Sequence, residues 1–305
     1  MNKKSMNWKR ILPFYLMVLP GTIYMLVDKY IPMFGIIIAF KKLDVRKGIL
    51  NSPWCGFKNF EFLFQSKDAW TITRNTIFYN LLFFVTGIAV AIIFAILLNE
   101  ITSKKASKTY QTVTLLPYLM SWVVIGYLAY AYLSADTGLI NKSILEPVGK
   151  EGINWYQEAK YWPFILTFFN LWKSVGYTMI IFLSSIVGIS QDYFEAARLD
   201  GATKLQQIRY ITLPLLKPTI ITLMIIMVGQ IFRSDFGLFY QVPRNSGSLY
   251  AATRTLDVYV YQALLKYSDY AMSSAASFYQ SVVGLILILV VNKVIKKTSP
   301  DSALF

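Results

Sequence analysis

The residue types that perform covalent chemistry are nearly missing from this 305-residue chain, which contains no His and a single Cys, Cys55. Histidine-ligated zinc, histidine acid–base catalysis and a Ser-His-Asp triad are excluded together, as are an internal disulfide and a thiolate cluster. No G-x4-G-K-[ST] run occurs, so a phosphate-cradling nucleotide loop is absent too. What remains are groups that bind or couple. The most organised set lies at 189–218. There Asp192 precedes Glu195 by three residues and Thr203 precedes Gln206 by three, both fitting the capping box that opens a helix. Asp200-Gly201 supplies a stop between them, and Leu213-Pro214 is the expected end of the second helix. Ala196 and Ala197 give a small-residue face that lets another protein approach closely. The reading is a rigid helix–turn–helix suited to receiving a push from a partner.

A second set is polar residues embedded in apolar sequence. Lys173 lies about 12 residues into an apolar stretch that opens near Tyr161, roughly 18 Å at the helical rise. A cation at that depth costs at least about 2.5 kcal/mol against lipid, so it should face protein or water. Asn170, Lys173, Ser174 and Tyr177 share one helical face by the i, i+3, i+4, i+7 rule. Gln230, Arg233 and Asp235 end a later apolar run, with Arg233–Asp235 a candidate pair. Trp122, Tyr127 and Tyr130 are aromatic groups on another run; with 16% aromatic residues in the chain, packing and interfacial belts claim most such side chains.

These groups must be positioned by membrane-spanning helices. The chain is 55% hydrophobic and 15% charged, where a soluble domain carries about a quarter charged residues. A bilayer core about 30 Å thick needs about 20 apolar residues per helix. Runs without Asp, Glu, Lys or Arg cover 75–99, 109–135 and 270–292, and 161–191 and 211–232 are interrupted only by Lys173 and Lys217. Residues 11–40 form one tilted or kinked helix, with Pro13, Pro20 and Pro32 as break points; a cleaved signal peptide fits less well, because no small-x-small site precedes Asp28. The reading is an all-α polytopic membrane protein with six spans, at about 11–40, 75–99, 110–134, 161–188, 215–235 and 272–292. Net charge is +14. With both ends inside, inner segments hold 14 Lys and Arg in 63 residues against 14 in 104 outside. That favours N-in/C-in, although Lys41, Lys42, Arg46, Lys47, Lys58, Lys67 and Arg74 crowd the first outer loop. It leaves a cytoplasmic N-terminus at 1–10, an outer loop at 237–271 and a cytoplasmic tail at 296–305. Lys3, Lys4, Lys9 and Arg10 fit an orientation signal and anionic lipid contact better than nucleic-acid binding.

The run Glu195-Ala196-Ala197, Asp200-Gly201-Ala202, Ile211, Leu213-Pro214 resembles the EAA loop of binding-protein-dependent ABC importer permeases, E-A-A-x3-G-x9-I-x-L-P. The stretches LPGTIYMLVDKYIPMFGIIIAFK, NLWKSVGYTMIIFLSSIVGISQDYFEAARLDGA, DFGLFYQVPRNSGSLY and SSAASFYQSVVGLILILVVNK are similar to its oligosaccharide and polysaccharide branch. TLDVYVYQ departs from it, because relatives often carry a basic residue where Gln262 stands. The resemblance implies a type I ABC importer permease in which 189–214 is the coupling loop. It implies a second homologous permease, a cytoplasmic ATPase dimer holding ATP and Mg, an extracellular sugar-binding protein, and a plasma-membrane location; the chain itself would carry no cofactor and catalyse nothing. Asn170, Lys173, Tyr177, Trp122, Tyr127, Gln230 and Arg233 become candidates for the sugar path, with a structural tie between spans the competing reading for Lys173 and an outer gate for Arg233. From hydropathy alone the rival is an ion-coupled secondary transporter, which needs an intramembrane acidic relay; Asp28 is the single acid well inside an apolar stretch.

Overall fold

A computed structural model describes residues 8–65, 67–266 and 268–298, and in them every regular element is a helix, apart from an isolated bridge between Lys41 and Trp54. Four helices are long and apolar enough to cross a membrane: Leu12–Phe40, Asp68–Asn99, Ala159–Val187 and Tyr270–Lys297. Two bent pairs, Lys104–Leu119 with Trp122–Leu133 and Lys204–Leu215 with Lys217–Gly229, bring the total to six if each pair is one span. Lys3, Lys4 and the tail beyond residue 298 lie outside the described residues, as do the side chains of Lys9 and Arg10.

The chain divides into two units. The first comprises residues 1–65 and 262–279. Its helix from Leu12 onward exposes an almost unbroken apolar surface, with Phe14, Met17, Val18, Tyr24 and Phe34 all outward, as expected of a surface solvated by lipid. The irregularity begins just before Pro32 and continues beyond it as a tighter 3-10 helix over Phe34–Phe40. A widened π-turn, Leu26–Tyr30, precedes the proline and accommodates a ring that would otherwise meet the carbonyl four residues back. Pro13 and Pro20 sit within the regular helix Trp8–Met25 and do not break it. Ala39, Phe60 and Ala275 form this unit's core, with Phe40 and Phe278 edge-to-face against each other and around Phe60. Lys41 is buried, and its ammonium donates to the carbonyls of Ile49 and Leu50 at 3.1 and 2.7 Å, ending the short helix Gly48–Asn51.

The second unit comprises residues 66–261 and 280–305. Asp68–Asn99 packs along Ala159–Val187, where Ala91, Ile92, Ala95 and Leu98 meet Val175, Met179, Phe182 and Ile186. Hydrocarbon is as apolar as these side chains, so the pair is held by close packing, which small residues permit. Gly176 is the clearest instance: a Cβ there would lie 2.1 Å from the Thr114 carbonyl oxygen on the neighbouring helix. A second cluster, built on Tyr79, Ile125, Trp162, Leu166, Phe239 and Leu249, joins these helices to Trp122–Leu133 and to the short outer helices Phe236–Gln241 and Tyr250–Thr253.

Two spans differ from the uninterrupted helices expected at 110–134 and 215–235. The third turns through 95° at Met120–Ser121. Pro117 sits in a tightened turn, Leu116–Leu119, and the Ser121 hydroxyl accepts from the Val124 amide to start a new helix. The fifth bends 50° before Lys217-Pro218, and its helix stops at Gly229, so that 230–234 is a turn rather than the last turn of a span.

Candidate functional site

The broken fifth span borders a cavity. It measures about 640 Å³ and is walled by the second, fourth and fifth spans and the start of Phe236–Gln241. Its polar lining is Asn80, Asn170, Ser174, Thr178, Gln230, Arg233, Ser234 and Asp235, and Tyr79, Phe83 and Phe239 contribute aromatic rings. Amides, hydroxyls and ring faces suit a polyhydroxylated ligand, which they can hydrogen-bond and stack against.

Backbone groups freed by a helix break must find partners when water is excluded. At the fifth span's turn they are supplied from a distance. The Asn80 amide donates to the carbonyls of Ile231 and Arg233 at 3.1 and 2.7 Å, and the Gln280 amide donates to that of Phe232 at 2.7 Å. The Asp257 carboxylate accepts from the Ser234 amide at 2.6 Å and its hydroxyl at 2.9 Å. At the third span's break the donor is Lys173, whose ammonium reaches the carbonyls of Tyr118, at 2.9 Å, and Met120. The same ammonium lies over the rings of Trp122 and Tyr118, at 5.2 and 5.7 Å from their centroids. The Trp122 indole donates to Asp235 at 2.7 Å, which ties the two breaks together.

The structure thus separates residues that the helical face grouped. Asn170, Gln230 and Arg233 line the cavity. Lys173, Tyr177 and Trp122 instead build the third span's corner, with Tyr177 stacked on Tyr118 at 4.9 Å. Tyr127 is exposed beside a smaller cavity of about 220 Å³ shared with Gly126, Tyr240 and Arg244. Arg233 and Asp235 do not pair. Asp235 caps Phe236–Gln241 through the Leu238 amide and takes the Trp122 indole, and Arg233 reaches the Ser281 hydroxyl at 3.3 Å. The Arg244 guanidinium covers Tyr130 at 4.1 Å. Beside it, burial pushes the Tyr156 phenol well above its usual range, partly offset by the Arg244 charge. Sequence reasoning missed Asn80, although an amide inside the charge-free run 75–99 was a signal.

At 189–218 the helix Gln191–Leu199 starts at Ser190, whose hydroxyl accepts from the Asp192 amide. The box expected at Asp192 and Glu195 does not form, because Ser190 opens the helix two residues earlier and leaves Asp192 inside the first turn. Past Asp200, Gly201 takes φ +75°, its amide donating to the Arg198 carbonyl and that of Ala202 to Ala197 at 2.8 Å. This doubly bonded stop needs a left-handed residue, which Gly adopts without strain. Thr203 and Gln206 form the expected reciprocal box. Leu213-Pro214 does not end the second helix: a π-turn, Ile208–Thr212, makes room for the proline and the helix continues to Leu215. Ile211 is half-buried, Leu213 and Pro214 are exposed, and Lys204 pairs with Glu100 at 2.6 Å. Glu195 and Ala196 are exposed and Ala197 half-buried, flanked by outward Tyr193, Leu199 and Leu205.

Comparison with known proteins gives the class. Residues 87–298 match the family described as binding-protein-dependent transport system inner membrane component. The chain is 36% identical over 283 residues to the polygalacturonan/rhamnogalacturonan transport system permease protein YteP of Bacillus subtilis (strain 168), covering 93% of this chain and 87% of that one. It superposes with a TM-score of 0.86 and 31% identity on a chain of a bacterial ABC transporter involved in import of the acidic polysaccharide alginate, covering 96% of this chain and 98% of that one. It superposes equally well, with 30% identity, on the alginate transporter solved in complex with an alginate pentasaccharide-bound periplasmic protein. The chain belongs to the binding-protein-dependent ABC transporter permease family.

Proposed function

We propose that this chain is the membrane-spanning permease subunit of an ATP-driven importer of oligosaccharides or polysaccharide fragments in the plasma membrane, with both ends cytoplasmic. The 640 Å³ cavity beside the broken fifth span carries the reading, because its amides, hydroxyls and rings match the chemistry of a sugar chain. With a second homologous permease it forms the translocation path, and an extracellular sugar-binding protein delivers cargo to it. The helix pair at 191–207 faces the cytoplasm and docks on the ATPase dimer, which holds ATP and Mg. Its exposed Glu195, Ala196, Tyr193 and Leu199 are the docking face, and the Gly201 stop keeps the pair stiff enough to transmit a displacement. ATP binding then biases a two-state permease pair between inward and outward access.

The test is the complete importer in liposomes. Glu195→Ala and Gly201→Asp should each lower sugar-stimulated ATP hydrolysis and uptake several-fold while insertion and assembly persist. Unchanged stimulation in the Gly201→Asp complex refutes the docking role.

A further inference from the structure

The cavity wall carries one cation, Arg233, and one acid, Asp235, which do not pair with each other. The acid two residues on, Asp235, is committed elsewhere: one oxygen caps the Leu238 amide at 3.3 Å and the other takes the Trp122 indole at 2.7 Å. Asp257, the other nearby acid, accepts from the Ser234 amide and hydroxyl and from Gln280. The backbone that carries Arg233 is fixed, its carbonyl accepting from Asn80 at 2.7 Å and its amide donating to Gln230 at 2.8 Å. The side chain is exposed, and among the described residues its recorded hydrogen bond is a long one, 3.3 Å, to the Ser281 hydroxyl. A guanidinium presents five N–H donors in a planar fork that matches a carboxylate. A pinned base, a guanidinium with donors to spare beyond its long Ser281 bond, and a cavity large enough for sugar rings make a site for an anionic sugar.

We infer that the cargo is an acidic oligosaccharide, one carrying uronate carboxylates, and that Arg233 is the residue that selects for the charge by pairing with a carboxylate in the cavity. The inference rests on the sugar-import reading above. A bland alternative, in which Arg233 merely anchors the end of the fifth span to the sixth through Ser281, predicts equal effects on charged and uncharged cargo.

The experiment uses the complete importer in liposomes with its own binding protein. The probes are tetragalacturonate, its fully methyl-esterified form, which removes the charge while preserving the rings, and a neutral oligosaccharide of the same length. Wild type should take up tetragalacturonate. Arg233→Gln should raise KM for it by about tenfold or more, the loss expected for a charged hydrogen bond. Arg233→Lys should recover most of that loss, and its KM should rise with salt as in wild type. Should the Gln variant insert poorly, the Lys variant alone decides the matter, by weakening the acid about twofold and leaving the uncharged probes unaffected. Uptake by wild type of uncharged probes alone, wild-type KM for the acid in Arg233→Gln, or equal losses on charged and uncharged probes would overturn the inference while the importer reading stands. If none of the three probes is taken up, this inference falls, and the importer reading falls with it only if no saccharide stimulates ATP hydrolysis.

Discussion

Lys173 is the most informative residue to perturb, because its ammonium holds the 95° corner of the third span rather than facing the cavity. Replacing it with Met keeps length and apolar volume but removes the donor to the carbonyls of Tyr118 and Met120. An acceptor stranded by loss of its partner costs about 1–3 kcal/mol. The Tyr118 bond is the more exposed of the two, so water replaces the donor there and the lower end applies; the Met120 bond is part-buried, which places it near the upper end. Losing the ammonium over the Trp122 ring at 5.2 Å adds roughly 0.5–1 kcal/mol. The expected destabilisation is therefore about 4–5 kcal/mol, with the corner loosening first. Thermal unfolding in lipid nanodiscs measures the total, and amide exchange over 116–124 locates it, since the Val124 and Ile125 amides bond to Ser121. Lys173→Arg should lose less, because the charge and its donors persist. A Met variant with the wild-type midpoint and wild-type protection over 116–124 would refute the assignment, and Lys173 would return to the list of residues that touch the cargo.

What was legible in the sequence depended on how far away the deciding partner stood. The apolar runs marked the spans, because lipid tolerates charge so poorly that a charge-free stretch reports its surroundings directly. The Thr203–Gln206 box was legible because both partners lie within one turn, and Gly201 because its backbone demand is its own. The Asp192 box failed on an equally local point, the presence of Ser190 two residues upstream. The helix breaks were different. Pro117 hinted at one, but the corner at Met120 exists because Lys173 arrives from another span, and the turn at 230–234 because Asn80 and Gln280 do. Such partnerships are set by packing, and one sequence does not display them. The same holds for the helical face of 170–177. Asn170 and Ser174 point to the cavity while Lys173 and Tyr177, one position round the helix, point to the corner; the spacing places all four on one side but not on one surface.

Two further outcomes follow from the second unit. Burial raises the Tyr156 phenol, so above about pH 10, where an exposed tyrosine ionises, the unfolded chain loses its proton before the folded one does. Stability should fall as pH rises past that point, and Tyr156→Phe should lessen the fall between pH 8 and 11 while giving up only a long, 3.3 Å bond to the Val242 carbonyl; an unaltered alkaline fall would argue that Tyr156 is hydrated. Gly176→Ala sets two effects against each other. Alanine gains about 1 kcal/mol over glycine in a helix interior. Its Cβ, however, would lie 2.1 Å from the Thr114 oxygen and 2.6 Å from the carbonyl carbon, and both are backbone atoms that no rotamer change can move. Forcing the helices apart costs about 1–3 kcal/mol or more, and it pulls on the Tyr118–Met120 corner that continues from Thr114. The crossing should win, so the alanine variant unfolds at a lower temperature in nanodiscs than wild type. A variant as stable as wild type would mean that the two helices do not approach this closely at Gly176, and the corner held by Lys173 would then need another support.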